Sequence, residues 1–288
     1  MYAPEFDYYR AGSVSEAAGL LRKHPGAKLL AGGQSLIPLL KLRLAAPAAV
    51  IDIGRIRYLK GITVKDGTIR IGAMTTYAEL AASAELAETC PVLAQAAAGI
   101  GDPAVRNRGT IGGNVAHADP ASDLPTVLVA LEARLMAEGP DGKRTLDAGG
   151  FFQGLMTTAL KEHEILTAIE IPAHPKGQSS AYAKFAHPAS RYAVIGVAAV
   201  ITASGGKCSS ARVAVGGMVP RPVRASSVER ALTGQELSAE SIAKAAAQVT
   251  ENLGNEVLGD IFASEQYRRS VASVWVKRAL TQAVGRAK

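Results

Sequence analysis

The sequence predicts an α+β fold, in which short strands and short helices are mixed along the chain. Three observations predict it. A strand, a glycine turn, a helix and a second strand follow one another before residue 55. Short strands around turn dipeptides come next, and three apolar strand-like runs followed by helical patterns end the chain. With 288 residues, of which 48% are hydrophobic, the chain can bury a large core.

The first pattern predicts a small strand–helix–strand unit. Ala27–Ala31 indicates a short buried strand, and the apolar series from Leu36 to Leu44 indicates a helix. Ser35 precedes that helix and is a typical N-cap, while Pro38 falls in the first turn, where proline is tolerated. Val50–Ile53 then predicts the second strand.

The middle of the chain predicts two hairpins and several helices, because turn dipeptides separate apolar runs there. The predicted elements are a hairpin of Ile62–Val64 and Thr68–Ala73, helices that begin near Thr75 or Thr76 and at Pro91, a loop over Gly99–Pro120, a helix over Ser122–Leu131, a hairpin that turns at Pro140-Asp141-Gly142, and a strand over Ile165–Ile171.

The last part of the chain predicts strands followed by helices. His174–Ser180 contains Pro, Gly and Ser, so we expect a linker there. The predicted strands are Ala181–Phe185, Val194–Ile201 and Ala211–Val215, and the helical patterns cover 224–232, 238–249 and 264–283. The predicted domains are an N-terminal subdomain over 1–55, a middle subdomain over 56–176 and a C-terminal α+β domain over 177–288.

Composition argues against several classes of site. Cys90 and Cys208 lie far apart, so we expect neither a disulfide framework nor a metal site in this chain. The basic residues behind the net charge of +7 are scattered and only 5% of residues are aromatic, which does not favour nucleic-acid binding. No apolar run approaches the ~20 residues of a membrane span and the amino terminus has no secretory pattern, so we expect no transmembrane segment and a cytoplasmic location.

Two glycine loops carry the clearest chemical signal. Ala31–Ser35 and Thr110–Asn114 each place a Gly-Gly pair between regular elements. Glycine lacks the Cβ that would block a ligand, and successive backbone N–H groups form a concave site for phosphate. Two such loops predict a grip on the pyrophosphate of a dinucleotide. Neither loop matches GxGxxG or GxxxxGK[ST], and the alternative is that each pair makes only a tight turn.

The sequence around both loops resembles a known family. Lys28–Arg43 and Val105–Pro125 closely resemble the medium, FAD-binding subunit of carbon monoxide dehydrogenase-like molybdenum hydroxylases. The resemblance covers the full length, including the strand residues Glu164–Pro172 and the helical carboxyl-terminal region. It implies the FAD-binding fold of the vanillyl-alcohol oxidase and xanthine dehydrogenase type. In that fold FAD lies between two α+β subdomains, and a C-terminal antiparallel sheet with helices follows.

The resemblance also implies which residues contact FAD, and it implies no catalytic or metal-ligating residue in this chain. The implied contacts are Lys28, Leu29, Leu30, Ala31, Gly32, Gly33, Gln34, Ser35 and Leu36 on the pyrophosphate and adenine side, Thr110, Ile111, Gly112, Gly113 and Asn114 in the opposing loop, Asp123 as a hydrogen-bond acceptor, Ile100 and Leu166 as apolar walls, and Lys184 and Tyr192 beside the isoalloxazine. A cation at Lys184 would stabilise the negative charge of the reduced flavin.

Alternatives stay open for several of these residues. Asp123 also suits the first turn of a helix, Lys184 a solvated surface, and Tyr192 a half-buried strand. Arg106–Arg108 would hold a phosphate, face a partner subunit or form a solvated turn. Gln34 stands where several relatives have histidine, which changes little if the loop acts through its backbone N–H groups.

The function that the resemblance implies is that of the FAD subunit in a molybdenum hydroxylase complex. Electrons would come from two [2Fe–2S] clusters on a small subunit, after reaction at a molybdopterin-bound molybdenum in a large subunit. FAD would pass them to an external acceptor such as a quinone or NAD, and the complex would be a dimer of heterotrimers. The alternatives are a stand-alone FAD-dependent oxidase or reductase of the same fold superfamily, and a flavin-free scaffold subunit.

Overall fold

The structure is a computed structural model that describes residues 2–286. The strands are β1 (Asp7–Arg10), β2 (Lys28–Leu30), β3 (Ala49–Asp52), β4 (Ile62–Lys65), β5 (Thr68–Gly72), β6 (Arg134–Gly139), β7 (Gly142–Asp147), β8 (Phe152–Gly154), β9 (Thr157–Thr158), β10 (Ile165–Pro172), β11 (Gln178–Ala186), β12 (Ala193–Ser204), β13 (Lys207–Gly216) and β14 (Val223–Arg224). The α-helices are α1 (Val14–Lys23), α2 (Leu36–Lys41), α3 (Tyr77–Ala82), α4 (Ala84–Thr89), α5 (Pro91–Ala98), α6 (Pro103–Arg106), α7 (Ile111–His117), α8 (Asp123–Ala130), α9 (Ala148–Phe151), α10 (Ser226–Leu232), α11 (Ala239–Ala246) and α12 (Glu265–Arg286).

The N-terminal sheet is parallel, in the order β1-β3-β2. Its central strand β3 pairs with β2 so that Leu30 lies beside Asp52. Since parallel strands end at the same edge, the loops that follow β2 and β3 emerge side by side. The predicted unit of β2, α2 and β3 is present, but β2 is half-buried rather than buried, and the prediction missed β1 and α1.

The middle sheet is antiparallel, in the order β4-β5-β10-β6-β7. Its central strand β10 and both predicted hairpins are where the sequence indicated them. Helices α5, α7 and α8 cover one face through a core that includes Ile69, Leu93 and Leu128. The predicted loop over Gly99–Pro120 is wrong, because it contains α6 and α7, and α4 was also missed.

The C-terminal sheet is antiparallel, in the order β11-β12-β13-β14, and helices cover both of its faces. Side chains alternate along β12. Ile195 and Val197 join the core formed with α10, α11 and α12, whereas Ala198 and Val200 join the core beneath α5 and α8. The three predicted strands and the three helical patterns are confirmed, and β14 was missed. The predicted linker over His174–Ser180 overlaps the start of β11.

The three large sheets come from consecutive parts of the chain, while the domain limits near residues 55 and 176 stay a prediction. Within residues 2–286, no helix is long and apolar enough to cross a membrane. The same residues contain no group of three or more His, Cys, Asp and Glu side chains that would hold a metal ion. Cys90 and Cys208 are buried free thiols.

Gly112 gives a direct test of this packing. A Cβ at this position would lie 2.4 Å from the Cβ of Ala73 and 2.7 Å from its carbonyl oxygen, so Gly112→Ala should lower the free energy of unfolding by about 1–3 kcal/mol. Gly150→Ala is the control, because a Cβ there meets nothing within 4 Å in another short helix. Urea unfolding measures both variants. Equal stability of the two would show that Gly112 is not packed as described.

Candidate functional site

A cleft of about 320 Å³ opens at the carboxyl edge of the N-terminal sheet. Ala31–Gly33 lines one side, and Arg108 and Thr110 line the other. Asp52 at the end of β3 and Lys60 in the segment that follows it complete the wall. The fold therefore brings the two glycine loops, which are almost 80 residues apart in sequence, into one cleft.

Gly32 is required because the two loops touch each other. A Cβ at Gly32 would lie 2.0 Å from the carbonyl oxygen of Arg108 and 2.9 Å from the Cα of Gly109. Gly33 has a φ of +76°, in the left-handed region that favours glycine. We expected both glycines to make room for a ligand. At Gly32 the missing side chain instead makes room for the opposing loop.

The first loop has unused hydrogen-bond donors. The backbone N–H groups from Gly32 to Leu36 find no acceptor among residues 2–286, and the first internal bond runs from the N–H of Ile37 to the carbonyl oxygen of Gly33 at 3.0 Å. Ser35 occupies the N-cap of α2 as predicted, but its hydroxyl makes no capping bond. A row of free N–H groups on a tight loop is a typical anion site.

The second loop is different, because its backbone N–H groups are already used. Those of Ile111 and Gly112 donate to the carbonyl oxygens of Thr75 and Ala73 at 3.0 and 2.8 Å. The N–H groups of Gly113 and Asn114 donate to the side-chain and carbonyl oxygens of Thr110 at 3.2 and 3.0 Å. The expected phosphate nest of free N–H groups in this loop is therefore wrong.

Asn114 offers the second loop another way to contact a ligand. Its side-chain amide nitrogen donates to the Ser122 hydroxyl at 3.1 Å, which fixes the orientation of the amide. Its Oδ1 is buried and has no donor among the described residues. A buried acceptor without a partner is costly, and a donor from a bound ligand would satisfy it.

Two cations and one carboxylate, that of Asp52, line the cleft, so the charged side chains together favour an anion. Arg108 and Lys60 line it, and neither side chain has an acceptor within residues 2–286. The neighbouring Arg106 instead donates to the carbonyl oxygens of Ile100 and Gly101 at 3.0 Å. Of the interpretations left open for Arg106–Arg108, a phosphate contact therefore fits Arg108, while Arg106 braces the loop.

Asp52 and Lys60 are cleft residues that the sequence analysis missed. The Asp52 carboxylate accepts from the N–H of Gly54 at 2.7 Å and from the hydroxyl of Tyr8, and thus faces the cleft in a fixed orientation. Its place at the end of a central parallel strand was the available signal, because ligands bind at such edges. Lys60 gave no sequence signal.

Of the remaining first-loop residues, Leu30 lines the cleft, whereas Leu36 is half-buried and does not line it. Leu29 packs into the core under the N-terminal sheet. Lys28 and Gln34 are exposed, and neither lines the cleft.

A buried polar cluster forms a second part of the candidate site. The Asp123 carboxylate is 4% exposed and accepts from the Tyr182 hydroxyl at 2.6 Å and the Lys184 ammonium at 3.0 Å. Lys184 also donates to the carbonyl oxygens of Gly99 and Arg191 at 2.8 and 2.9 Å. Its three protons are thereby used, so Lys184 has no N–H left to donate to the flavin, and its place beside the isoalloxazine stays a prediction. The solvated surface lysine is excluded.

The electrostatics of this cluster follow from its burial. Burial raises the pKa of Asp123, while the ammonium of Lys184 and the hydroxyl of Tyr182 act to lower it. Burial and the nearby carboxyl also raise the pKa of Tyr182 well above its usual value. Asp123 lies in the first turn of α8 as the sequence allowed, but the N-cap Ser122 makes no side-chain capping bond.

Two glycines explain how Tyr182 in β11 can contact Asp123 in α8. Gly196 and Gly216 pair with each other across β12 and β13. A Cβ at Gly196 would lie 2.3 Å from the Tyr182 hydroxyl, and one at Gly216 would lie 2.0 Å from the hydroxyl of Thr126 in α8. The missing side chains of the two glycines leave a groove in the sheet, and the Tyr182 side chain lies in this groove with its hydroxyl on Asp123. Sequence reasoning missed Tyr182, because the long-range pairing that places it is not visible in the local pattern.

The other predicted flavin contacts lie in different surroundings. Leu166 is 5% exposed inside the middle core, and Ile100 is half-buried against the same core. Tyr192 is 45% exposed in the loop between β11 and β12, so it is not a half-buried strand residue. His187 in the same loop packs against Phe262, with a ring distance of 4.6 Å. The Tyr192 side chain is accessible to a ligand, because almost half of its surface is exposed.

The geometry fits FAD at two independent points. The cleft has free N–H groups from Gly32 to Leu36 opposite the Arg108 side chain, which suits a diphosphate. The unpartnered Oδ1 of Asn114 lies one helical turn beyond the cleft residue Thr110 and suits a hydroxyl or N–H donor of the same cofactor.

Comparison with known proteins gives the same result. Residues 4–174 match the family described as FAD binding domain in molybdopterin dehydrogenase, and residues 180–283 match the CO dehydrogenase flavoprotein C-terminal domain. The chain is 40% identical to the carbon monoxide dehydrogenase medium chain of Hydrogenophaga pseudoflava, over 99% of both chains. It is 38% identical to subunit alpha of the 6-hydroxypseudooxynicotine dehydrogenase complex of Paenarthrobacter nicotinovorans, over 100% of this chain and 97% of that one.

Solved structures show the same likeness. Carbon monoxide dehydrogenase from Hydrogenophaga pseudoflava superimposes with a TM-score of 0.95 at 42% identity, over 99% of both chains. Quinoline 2-oxidoreductase from Pseudomonas putida 86 superimposes with a TM-score of 0.94 at 32% identity, over 100% of this chain and 99% of that one.

The fold and the cleft define an oxidoreductase subunit with an FAD-binding domain. Within that class, the chain belongs to the family of flavoprotein medium chains of carbon monoxide dehydrogenase and xanthine dehydrogenase. The family resemblance and the predicted fold class are confirmed.

The buried ion pair predicts a strong dependence of stability on Asp123. Asp123→Asn should lower the free energy of unfolding by about 3–5 kcal/mol, because it leaves the Lys184 ammonium buried without its counter-charge. The double variant Asp123→Asn/Lys184→Met should lose less than the sum of the single variants, since neither charge then stays unpaired.

A double-mutant cycle by urea unfolding measures this coupling. Glu240 and Lys244 give a matched control, since they pair at 2.7 Å but both side chains are 76% exposed. Their cycle should show a much smaller coupling. Additive losses at Asp123 and Lys184 would contradict the described pair.

Proposed function

We propose that this chain is the flavin-carrying subunit of a molybdenum hydroxylase complex, and that it passes electrons from a [2Fe–2S] subunit to an external acceptor. The observation that carries the proposal is the row of free N–H groups from Gly32 to Leu36, which faces Arg108 across the cleft. Bound FAD supplies the redox chemistry, since side chains do not carry electrons in this way.

The chain's own residues bind and orient the cofactor in this proposal. The diphosphate lies against the Gly32–Leu36 N–H groups, with Arg108 and Lys60 as counter-charges. The Oδ1 of Asn114 accepts from a cofactor hydroxyl or N–H. Tyr192 covers the isoalloxazine, because its ring is exposed on a loop beside Lys184.

Lys184 acts as a positioning residue in this scheme. Its ammonium holds Asp123, the end of α5 and the Arg191 backbone at fixed distances from one another. Arg191 directly precedes Tyr192. Lys184 therefore sets the position of the ring that covers the flavin without donating to the flavin itself.

The partners belong to the same proposal. The relatives are named medium chain or subunit alpha, and one relative's structure is described as lacking the Mo-pyranopterin moiety of its molybdenum cofactor. These names support partner subunits, with a molybdenum cofactor in the complex. We propose that the partners are a small [2Fe–2S] subunit and a large molybdopterin subunit, arranged as a dimer of heterotrimers. The acceptor would be a quinone, NAD or another carrier.

Arg108 tests the proposed pyrophosphate site. Arg108→Gln should raise the Kd of FAD at least about tenfold, because a charge-assisted hydrogen bond contributes about 1.5–3 kcal/mol. Arg22→Gln, on the exposed last turn of α1, is the control and should leave FAD binding unchanged. Flavin content and FAD titration of the assembled complex give the measurement. Equal affinity in both variants would remove Arg108 from the site.

If the chain transfers electrons as proposed, reduction of its flavin by substrate should depend on the partner subunits. The purified complex should release FAD rather than FMN on denaturation, and its organic substrate should reduce the flavin only when iron and molybdenum are present. Size-exclusion mass, metal analysis and stopped-flow absorbance of the flavin measure this. A flavoprotein monomer that turns over an organic substrate without molybdenum or iron would favour the stand-alone oxidase instead.

A further inference from the structure

A second cavity, of about 550 Å³, lies between the start of α1, the segment after β3 and the hairpin of β6 and β7. Its walls are Gly12–Ser15, Arg55–Tyr58, Glu138 and Lys143. None of these residues lines the flavin cleft. The volume is in the range of cavities that bind small molecules.

The charges in this cavity are unbalanced. Lys143 pairs with Glu138 at 3.4 Å, so these two charges largely offset each other. Arg55 and Arg57 are exposed, and neither guanidinium makes a hydrogen bond or an ion pair within residues 2–286. Two arginine charges are therefore left without a counter-charge, two residues apart on one short segment.

Tyr58 gives the cavity a fixed aromatic wall. The guanidinium of Arg70 lies 5.3 Å from the centre of the ring, and the ammonium of Lys143 lies 5.5 Å from it. Arg70 also donates to the Tyr58 hydroxyl at 3.3 Å. These contacts hold the ring in place, and Arg70 adds positive charge beside the two arginines.

We infer that this cavity binds a small molecule that carries phosphate groups, of mononucleotide size. Arginine guanidinium groups match the geometry of phosphate oxygens and bind them through paired hydrogen bonds. Arg55 and Arg57 line the same cavity, so both guanidinium groups are available to the phosphate groups of one ligand. The hydroxyl of Ser15 on the facing wall adds a further donor.

This cavity and the flavin cleft share one segment of chain. Asp52, Gly54 and Lys60 line the flavin cleft, and Arg55–Tyr58 between them line the second cavity. Because both sites attract phosphate, the test must be made with the flavin cleft already filled.

The test is a calorimetric titration of the FAD-saturated complex with ADP. ADP should bind, pyrophosphate should displace it, and adenosine without phosphate should not bind. Arg55→Gln/Arg57→Gln should raise the Kd of ADP at least about tenfold while the flavin content stays unchanged. Arg22→Gln/Lys23→Gln is the control, because it removes the same charge from the exposed far end of α1 and should leave the Kd unchanged.

Three results would overturn the inference. The first is that neither ADP nor pyrophosphate binds to the FAD-saturated complex. The second is that the control weakens binding as much as the double variant, which would indicate diffuse attraction by net charge. The third is that the double variant disrupts subunit assembly and small ligands do not bind, which would assign Arg55 and Arg57 to a protein interface.

Discussion

The buried carboxylate of Asp123 is the interaction on which the packing of α8 against β11 depends. A charge that is 4% exposed costs several kcal/mol unless it is fully paired. Tyr182 and Lys184 both donate to it, and the remaining protons of Lys184 go to the carbonyl oxygens of Gly99 and Arg191. The carboxylate and Lys184 thus join α8 and the end of α5, which cover the middle sheet, to strand β11 and the loop before β12 in the C-terminal sheet.

At the cleft between the two glycine loops, the structure depends on close backbone contact rather than on a buried charge. The backbone around Gly32 touches the carbonyl oxygen of Arg108, and no side chain fits between them. The two glycine loops consequently have different roles. The N–H groups from Gly32 to Leu36 are free, whereas those from Ile111 to Asn114 hold the loop against its own domain. An anion in the cleft therefore meets backbone donors on one side and side chains on the other.

The sequence predicted correctly those elements that depend mainly on neighbouring residues. The hairpin at Asp66-Gly67 and the strand β10 were predicted, because turn residues and apolar runs suffice for them. Helix α7 was not predicted, because a Gly-Gly pair usually indicates a turn. The structure shows that Gly112 is needed for a different reason, since Ala73 leaves no room for a Cβ there. Lys184 was assigned to the flavin on family resemblance, and only long-range pairing shows that its protons are already used.

The most direct test of this account is a crystal structure of the complex with FAD bound. We expect pyrophosphate oxygens within about 2.7–3.2 Å of the nitrogen atoms of the N–H groups from Gly32 to Leu36, with the Arg108 guanidinium beside them. We also expect that the N–H groups from Ile111 to Asn114 keep their bonds inside the protein. A pyrophosphate held by the N–H groups of this second loop, or lying outside the cleft, would contradict the account.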